Sequence, residues 1–407
     1  MSVAAISPVR QDAQVIGLVG LAHGVSHFFH LILAPLFPWL KQDFALSYAQ
    51  LGFLMTVFFV VSGVGQALAG FVVDRVGPRL VLFCGIALLG VAALVLSQAQ
   101  SYPMLMAGSL LAGMGNSVFH PADFTLLNRR VSQPRLGHAF SLHGISGNLG
   151  WAAAPIFLAG IAQVWGWRSA LLAAAFIPFT VLALLLVCRR LLESEQAAVV
   201  RSPQRDGGGG HLLAFMALPA VWMCFAFFLI TALALGGIQS FSASALRALY
   251  GVSLAQATAG YTAYMLASAA GMVWGGFLAA KTSRHDRTIA IAFTAAGAFA
   301  LVVASGATPA WLALALMGAI GFGAGVAGPS RDLLIRAAAP KSATGRVYGV
   351  VYSGLDIGLS LAPLLFGALM DVGQAGMVFA GIGLFQCLAI LTAVSVGSRS
   401  AAARAPA

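Results

Sequence analysis

Twelve apolar runs, each about 20 residues or longer and separated by proline, glycine and charged residues, constrain the fold of this chain more than any other feature. They fall near 15–38, 48–72, 78–97, 102–127, 137–163, 168–189, 213–240, 254–280, 287–305, 309–337, 345–370 and 374–396. A segment inside a bilayer must satisfy its own backbone hydrogen bonds, which leaves helices and closed β-barrels. These runs are continuous rather than alternating and far exceed the crossing length of a strand, so helices are expected. Composition agrees: 60% of the residues are hydrophobic and 8% charged, where a soluble domain carries roughly 25% charge. So few charges cannot cover a water-facing surface, which excludes a soluble enzyme, a nucleic-acid binder and a disordered scaffold.

The net charge of +11 does not indicate a nucleic-acid partner, because the basic residues sit in short connectors. Lys41, Arg168 and Arg247 lie on connectors of one side, Arg331 lies within a span, and the remaining 18 of the 22 basic residues lie on the opposite side or in the tails. That bias orients both termini to the cytoplasm. The first span follows a terminus, Met1 to Gln14, with one basic residue, Arg10, and is too long and histidine-rich for a cleaved signal peptide. Cys84, Cys188, Cys224 and Cys387 lie far apart in apolar runs and read as packing residues rather than a disulfide or metal framework.

The stretch from Glu193 to His211, with Pro203 and Gly207 to Gly210, is the long polar interruption. It divides the chain into a six-helix bundle over 1–190, a linker over 191–212 and a second bundle over 213–407. The halves repeat at an offset of about 206 to 208 residues. Lys41, Ser47 and Gln50 match Arg247, Ser253 and Gln256, and each Ser-x-x-Gln predicts a capping box at a helix start. Gly113, Gly115, Pro121, Gly137, Gly150 and Pro155 match Gly321, Gly323, Pro329, Gly345, Gly358 and Pro363. The predicted fold is therefore an all-α polytopic membrane protein of twelve helices in two pseudo-symmetric bundles.

The connector between the second and third runs reads Gly70-Phe71-Val72-Val73-Asp74-Arg75-Val76-Gly77-Pro78-Arg79. Over its whole length the chain resembles the major facilitator superfamily, whose pattern G-x-x-x-D-R-x-G-R-R this connector matches except at Pro78. The second-half copy, Gly276 to Lys281, lacks the acid. Gly115-Asn116-Ser117-Val118-Phe119-His120-Pro121, with a glycine-rich fifth span, is similar to the fosmidomycin resistance branch of drug exporters. The acid expected directly after His-Pro comes one residue later, as Asp123, and Ser109 stands near the place of a drug-antiporter arginine. The resemblance implies a secondary transporter of a bacterial inner (cytoplasmic) membrane that works as a monomer, and a cavity lined by spans 1, 4, 7 and 10. It also implies a cytoplasmic latch at Gly70, Asp74, Arg75, Gly77 and Arg79; the alternative for those charges is topology alone.

Ionisable residues within spans are costly and mark function or pairing. His23, His27 and His30 recur at i, i+4 and i+7 on one stripe of span 1; Asn116, His120 and Asp123 repeat that spacing on span 4, and His143 is on span 5. Histidine titrates near physiological pH, so His23, His27, His120 and His143 with Asp123 are candidates for proton coupling, whereas His30 and His138 read as packing residues. A metal path through the histidines is disfavoured because paired carboxylates and thiolates are absent nearby, so neither metal nor cofactor is expected.

In the second half the candidates are Arg331 on span 10 and Asp356 on span 11. The repeat makes Asp123 the counterpart of Arg331, so the two can form a gate; otherwise Arg331 binds an anionic substrate, snorkels or pairs with Asp332. Gly144, Gly147, Gly150 and Pro155 on span 5, and Gly354, Gly358 and Pro363 on span 11, predict close, bendable interfaces. Tyr261, Tyr264 and Trp274 on span 8 read as packing or interfacial aromatics. An integral enzyme using His120 and Asp123 lacks a nucleophile, and a phosphate-binding loop for ATP is absent. The expected activity is export of a small, anionic or phosphonate-like compound in exchange for protons; the alternative is proton-coupled uptake of an organic acid or other small solute.

Overall fold

The computed structural model of the chain describes residues 8–193, 217, 219–282, 284–338 and 344–402. Most of the linker expected at 191–212, and the side chains of Asp74 and Asp332, lie outside the described residues. The regular structure is helical: α1 (Pro8–His30), α2 (Phe37–Asp43), α3 (Tyr48–Val76), α4 (Pro78–Ser97), α5 (Tyr102–Asn116), α6 (Phe119–Arg130) and α7 (Leu136–Val187) are followed by α8 (Pro219–Tyr250), α9 (Leu254–Lys281), α10 (His285–Ala304), α11 (Ala310–Ala338), α12 (Thr344–Asp371) and α13 (Ala375–Ala402). Among the described residues ten helical stretches are long and apolar enough to cross a membrane. One of them holds two of the expected spans, because α7 is kinked at Gly166, whose φ of 81° is in the positive region that favours glycine. The fourth expected span makes up the rest as α5 and α6.

That fourth span is not the continuous helix expected over 102–127. It breaks after Asn116 and resumes at Phe119, because Pro121 has no N–H to continue the ladder onto the preceding turn. Span 1 also ends earlier than expected, at His30; Pro35 and Pro38 follow in a short 3-10 turn and in α2. Both breaks lie beside candidate residues.

The chain divides into two compact units, Met1–Leu36 with Val60–Arg205, and Phe37–Phe59 with Asp206–Ala407. This departs from the expected boundary in one respect: α2 and the start of α3 pack with the second-half helices. In the second unit Val221, Cys224, Phe227 and Phe228 of α8 pack with Ile289 and Phe293 of α10, Val326 of α11, Val351 of α12 and Ala389 of α13. The four cysteines are free: Cys224 is buried and Cys188 and Cys387 partly so, whereas Cys84 is exposed and does not pack in the interior as expected. Trp165, Phe176, Phe277 and Trp311 are 66–70% exposed; water-facing aromatics on that scale would be costly, whereas lipid accommodates them. Tyr261 and Tyr264 are buried, while Trp274 is exposed.

Local chemistry explains the helix starts. Both predicted capping boxes are present. Ser47 Oγ accepts from Gln50 N at 3.1 Å and Gln50 Oε1 from Ser47 N at 2.8 Å, and Ser253 with Gln256 repeats the pair at α9. Between α3 and α4, Gly77 has φ 89° and Pro78 occupies the first turn of α4. Proline is favoured at that position, which accounts for its place in the signature. Gly77→Ala is expected to cost about 1 kcal/mol, detectable as a lower melting temperature of the purified protein.

The glycines expected at interfaces do permit close approach, within each unit. A Cβ at Gly150 would strike the Gly24 carbonyl of α1, and one at Gly147 would strike the His27 ring. In the second unit Gly354 faces the Phe225 carbonyl of α8 and Gly358 faces Ala232 and the Leu229 carbonyl. Gly144 departs from the expectation, since nothing lies within 4 Å of its added Cβ.

Candidate functional site

The polar interior of the first unit is built around Asp123, which is fully buried on α6. His143 Nε2 of α7 lies 3.1 Å from its Oδ2. When Asp123 is ionised it only accepts, and this nitrogen then carries the hydrogen and donates. His23 Nδ1 of α1 lies 3.3 Å from the same oxygen. Asp123 Oδ1 is buried without a hydrogen-bond partner among the described residues. One oxygen is thus hydrogen-bonded by His143 with His23 Nδ1 close beside it but not bonded, and the other is open.

The histidine stripe predicted on α1 faces this carboxylate. The His23 and His143 rings stack with centroids 3.5 Å apart and planes inclined by 21°. His27 follows at 4.3 Å from His23, and His30 stacks on His27 at 4.7 Å. His120 stands edge-on to His23 at 5.3 Å. Its Nδ1 lies 2.7 Å from Gln66 Oε1 of α3, an oxygen that only accepts, so Nδ1–H donates and the Nε2 lone pair stays available. Trp151 of α7 packs on His27 at 4.3 Å and donates from Nε1 to His30 Nδ1 at 3.3 Å. Gly147 leaves the space that the His27 ring occupies.

The candidates predicted for the first half therefore meet in one place, except Asn116. Asn116 reaches the cluster only at its far end, against His30, and is otherwise held in a hydrogen-bonded bridge. It accepts from Ser26 Oγ of α1 at 2.6 Å and donates to Ser62 Oγ of α3 at 2.8 Å. It ties three helices together rather than contacting Asp123. His138 is exposed and outside the cluster. Gln66, Trp151, Ser26 and Ser62 were not singled out in the sequence, although Gln66 stands out as an amide within a long apolar run.

Ligand atoms of His23, His27 and His120, and those of His23, Asp123 and His143, lie within 4.8 Å of one another. In the second trio the nearly parallel rings keep their in-plane lone pairs from converging on one point, and the His143 nitrogen that faces Asp123 carries a hydrogen. That geometry suits proton sharing with a carboxylate better than metal ligation.

In the second unit, the Arg331 guanidinium carbon lies 4.9 Å over the Phe228 ring, within cation–π reach. Asp356 is partly buried on α12, about two turns before Pro363. On the signature connector Arg75 is exposed, and Arg79 donates from Nη1 to Glu193 Oε1 at 3.1 Å and to the Arg189 carbonyl at 3.3 Å. Arg79 thus ties α4 to the 3-10 turn that follows α7; whether it also meets Asp74 lies outside the described residues. A further anchor was not anticipated. Asp12 near the start of α1 accepts from Arg135 Nε at 2.7 Å and Ser132 Oγ at 2.5 Å, fixing α1 to the connector before α7.

The family model described as Major Facilitator Superfamily matches residues 19–363 and 239–406. The chain is 26% identical over 163 residues to "Fosmidomycin resistance protein" of Escherichia coli K12, an alignment covering 40% of each chain. It is 30% identical over 138 residues to "Probable nitrate transporter NarT" of Staphylococcus carnosus, covering 34% of this chain and 35% of that protein. The aligned stretches thus span well under half of these relatives. In fold it is similar to a bacterial homologue of the human lysosomal transporter Spinster in an inward-facing, occupied conformation, with a TM-score of 0.71, 16% identity and coverage of 96% of both chains.

Proposed function

The chain belongs to the major facilitator superfamily, and on that premise we propose that it is a monomeric alternating-access transporter exporting a small anionic or phosphonate-like compound in exchange for protons. Its place is a bacterial cytoplasmic membrane, with both termini inside. The observation that carries this reading is the fully buried carboxylate of Asp123 set beside His23 and His143, with its Oδ1 open.

With neutral imidazoles and an ionised Asp123 the cluster bears one negative charge; one added proton makes it neutral. In a low-dielectric site that difference is large enough for the proton to bias which conformation is populated. The interactions couple the groups closely, so the proton belongs to the cluster rather than to one residue. His120, held through Nδ1 by Gln66, presents its other nitrogen as an acceptor beside His23 and is assigned the relay into the cluster. Arg331 supplies fixed positive charge in span 10 for an anion, and Asp356 a second acidic group on span 11. Asp74 and Arg75 are assigned to the cytoplasmic latch on the strength of the signature alone. The export direction rests on the likeness to the fosmidomycin resistance protein.

Everted vesicles with an imposed pH gradient test this. They should accumulate fosmidomycin or a related phosphonate, and collapse of the gradient should stop accumulation. The relatives named as probable nitrate transporters favour a second reading, proton-coupled uptake of a small anion. Nitrate or organic-acid entry into right-side-out vesicles, without phosphonate accumulation in everted ones, would select it. In either direction His120→Gln is expected to flatten the pH dependence of transport while substrate still stabilises the protein thermally. The amide keeps a hydrogen bond to Gln66 but does not titrate. A wild-type pH profile in that variant would remove His120 from the coupling path.

A further inference from the structure

Asp371, the last residue of α12, has no part in the transport chemistry above, yet it closes the start of α3. Its Oδ1 accepts from Tyr48 N at 2.6 Å and its Oδ2 from Ala49 N at 2.8 Å. Those are the first two residues of α3, whose N–H groups have no partner within the helix. The Ser47–Gln50 box already takes the third. Asp371 therefore completes the cap and sets a carboxylate at the positive end of the helix dipole.

Three further contacts extend the junction along the same two helices. Thr56 Oγ1 donates to the Ser360 carbonyl at 2.6 Å. A Cβ at Gly52 would strike the Pro363 carbonyl, and one at Gly367 would press on the Tyr48 carbonyl at 2.8 Å. Lys41 steadies the corner, donating to the Leu46 carbonyl at 3.1 Å with its Nζ 4.2 Å from the Tyr48 ring centroid. These residues all lie in the second unit.

The repeat indicates that the charge is not needed merely to start the helix. Ser253 and Gln256 cap α9 in the same way as Ser47 and Gln50 cap α3. Yet the positions 206 to 208 residues before Asp371 are Gln163, Val164 and Trp165, none of them acidic. The carboxylate is an addition to one half. It also sits at the opposite end of the 29-residue α3 from the basic connector at Asp74 to Arg79, about 40 Å away along the axis. By the charge bias that is the external side.

We propose that Asp371 is a state-selective external latch. It holds the outer ends of α3 and α12 together while the transport pathway opens to the cytoplasm, and it must release before the pathway opens outward. The inference rests on alternating access but not on the histidine cluster, the substrate or the direction of flux.

The test is labelling of an Ala49→Cys reporter by a membrane-impermeant maleimide in intact cells, corrected for labelling of the chain without that cysteine. It needs neither substrate nor proton gradient, so its outcome is independent of the coupling reading. The contact is solvent-exposed, which limits its size. Labelling is expected to rise about threefold to tenfold with Asp371→Ala, and less with Asp371→Asn, which keeps one accepting oxygen but loses the charge. Thr56→Val, which removes the bond to Ser360 and leaves Asp371 in place, is expected to shift labelling in the same direction. Should Asp371→Ala fail to reach the membrane, the isosteric Asp371→Asn and Thr56→Val carry the test. Labelling equal to the parent in Asp371→Asn and Thr56→Val at matched surface expression overturns the proposal.

Discussion

Asp123→Asn is expected to lower proton-driven transport roughly a hundredfold at unchanged membrane expression, the scale of losing a charge-assisted interaction of about 3 kcal/mol. Asparagine has the same shape and is accommodated in the fully buried site. It carries no exchangeable charge, and its amide N–H₂, if turned toward His143, opposes the Nε2–H that now donates to the carboxylate. The amide must therefore present its oxygen there, leaving N–H groups where the open Oδ1 stood. Uptake or efflux in vesicles at several imposed pH gradients measures the effect. Substrate-induced thermal stabilisation of the purified variant shows that binding and folding persist. Wild-type flux would remove the carboxylate from coupling.

Gly150→Val is expected to prevent folding of the first bundle, reducing folded protein tenfold or more. The added atoms meet backbone, the Gly24 carbonyl and, at 3.0 Å, the Phe28 nitrogen, which cannot move aside as a side-chain tip can. Overpacking of a close helix contact typically costs about 1–3 kcal/mol, and here separating α1 from α7 would also pull His23 and His27 from His143. Gly144→Val is the matched control, because nothing lies within 4 Å of an added Cβ there. Size-exclusion of detergent-solubilised protein reads both variants. Equal folded yields would contradict the close α1–α7 contact.

Much of this arrangement is legible in the sequence. The apolar runs gave the spans because the bilayer sets their length, and the repeat exposed both capping boxes. The three-and-four spacing of His23, His27 and His30 specified a single face. It could not say that His23 and His143 would stack, since two stripes on different helices meet only through packing. Local sequence also hid the partners that are unremarkable by type: Gln66 looks like one polar residue in an apolar run, Asp12 an isolated acid near a terminus, and Asp371 a helix-end residue. Each matters through a contact distant in sequence, 54 residues for Gln66 with His120 and 323 for Asp371 with Tyr48. Spacing alone predicts a continuous fourth span; the missing N–H of Pro121 breaks it after Asn116, which then sits against His30 rather than Asp123.

The central claim is that the Asp123 cluster exchanges a proton as the solute binds or leaves. Proton release on solute addition, followed with a pH indicator in weakly buffered detergent solution, tests it most directly, using the solute that vesicles carry best. The wild-type protein is expected to exchange about one proton per bound solute, a reciprocal linkage between the two ligands, and Asp123→Asn none despite binding the solute. The same proton exchange in both proteins, or none from the wild type, would contradict the account.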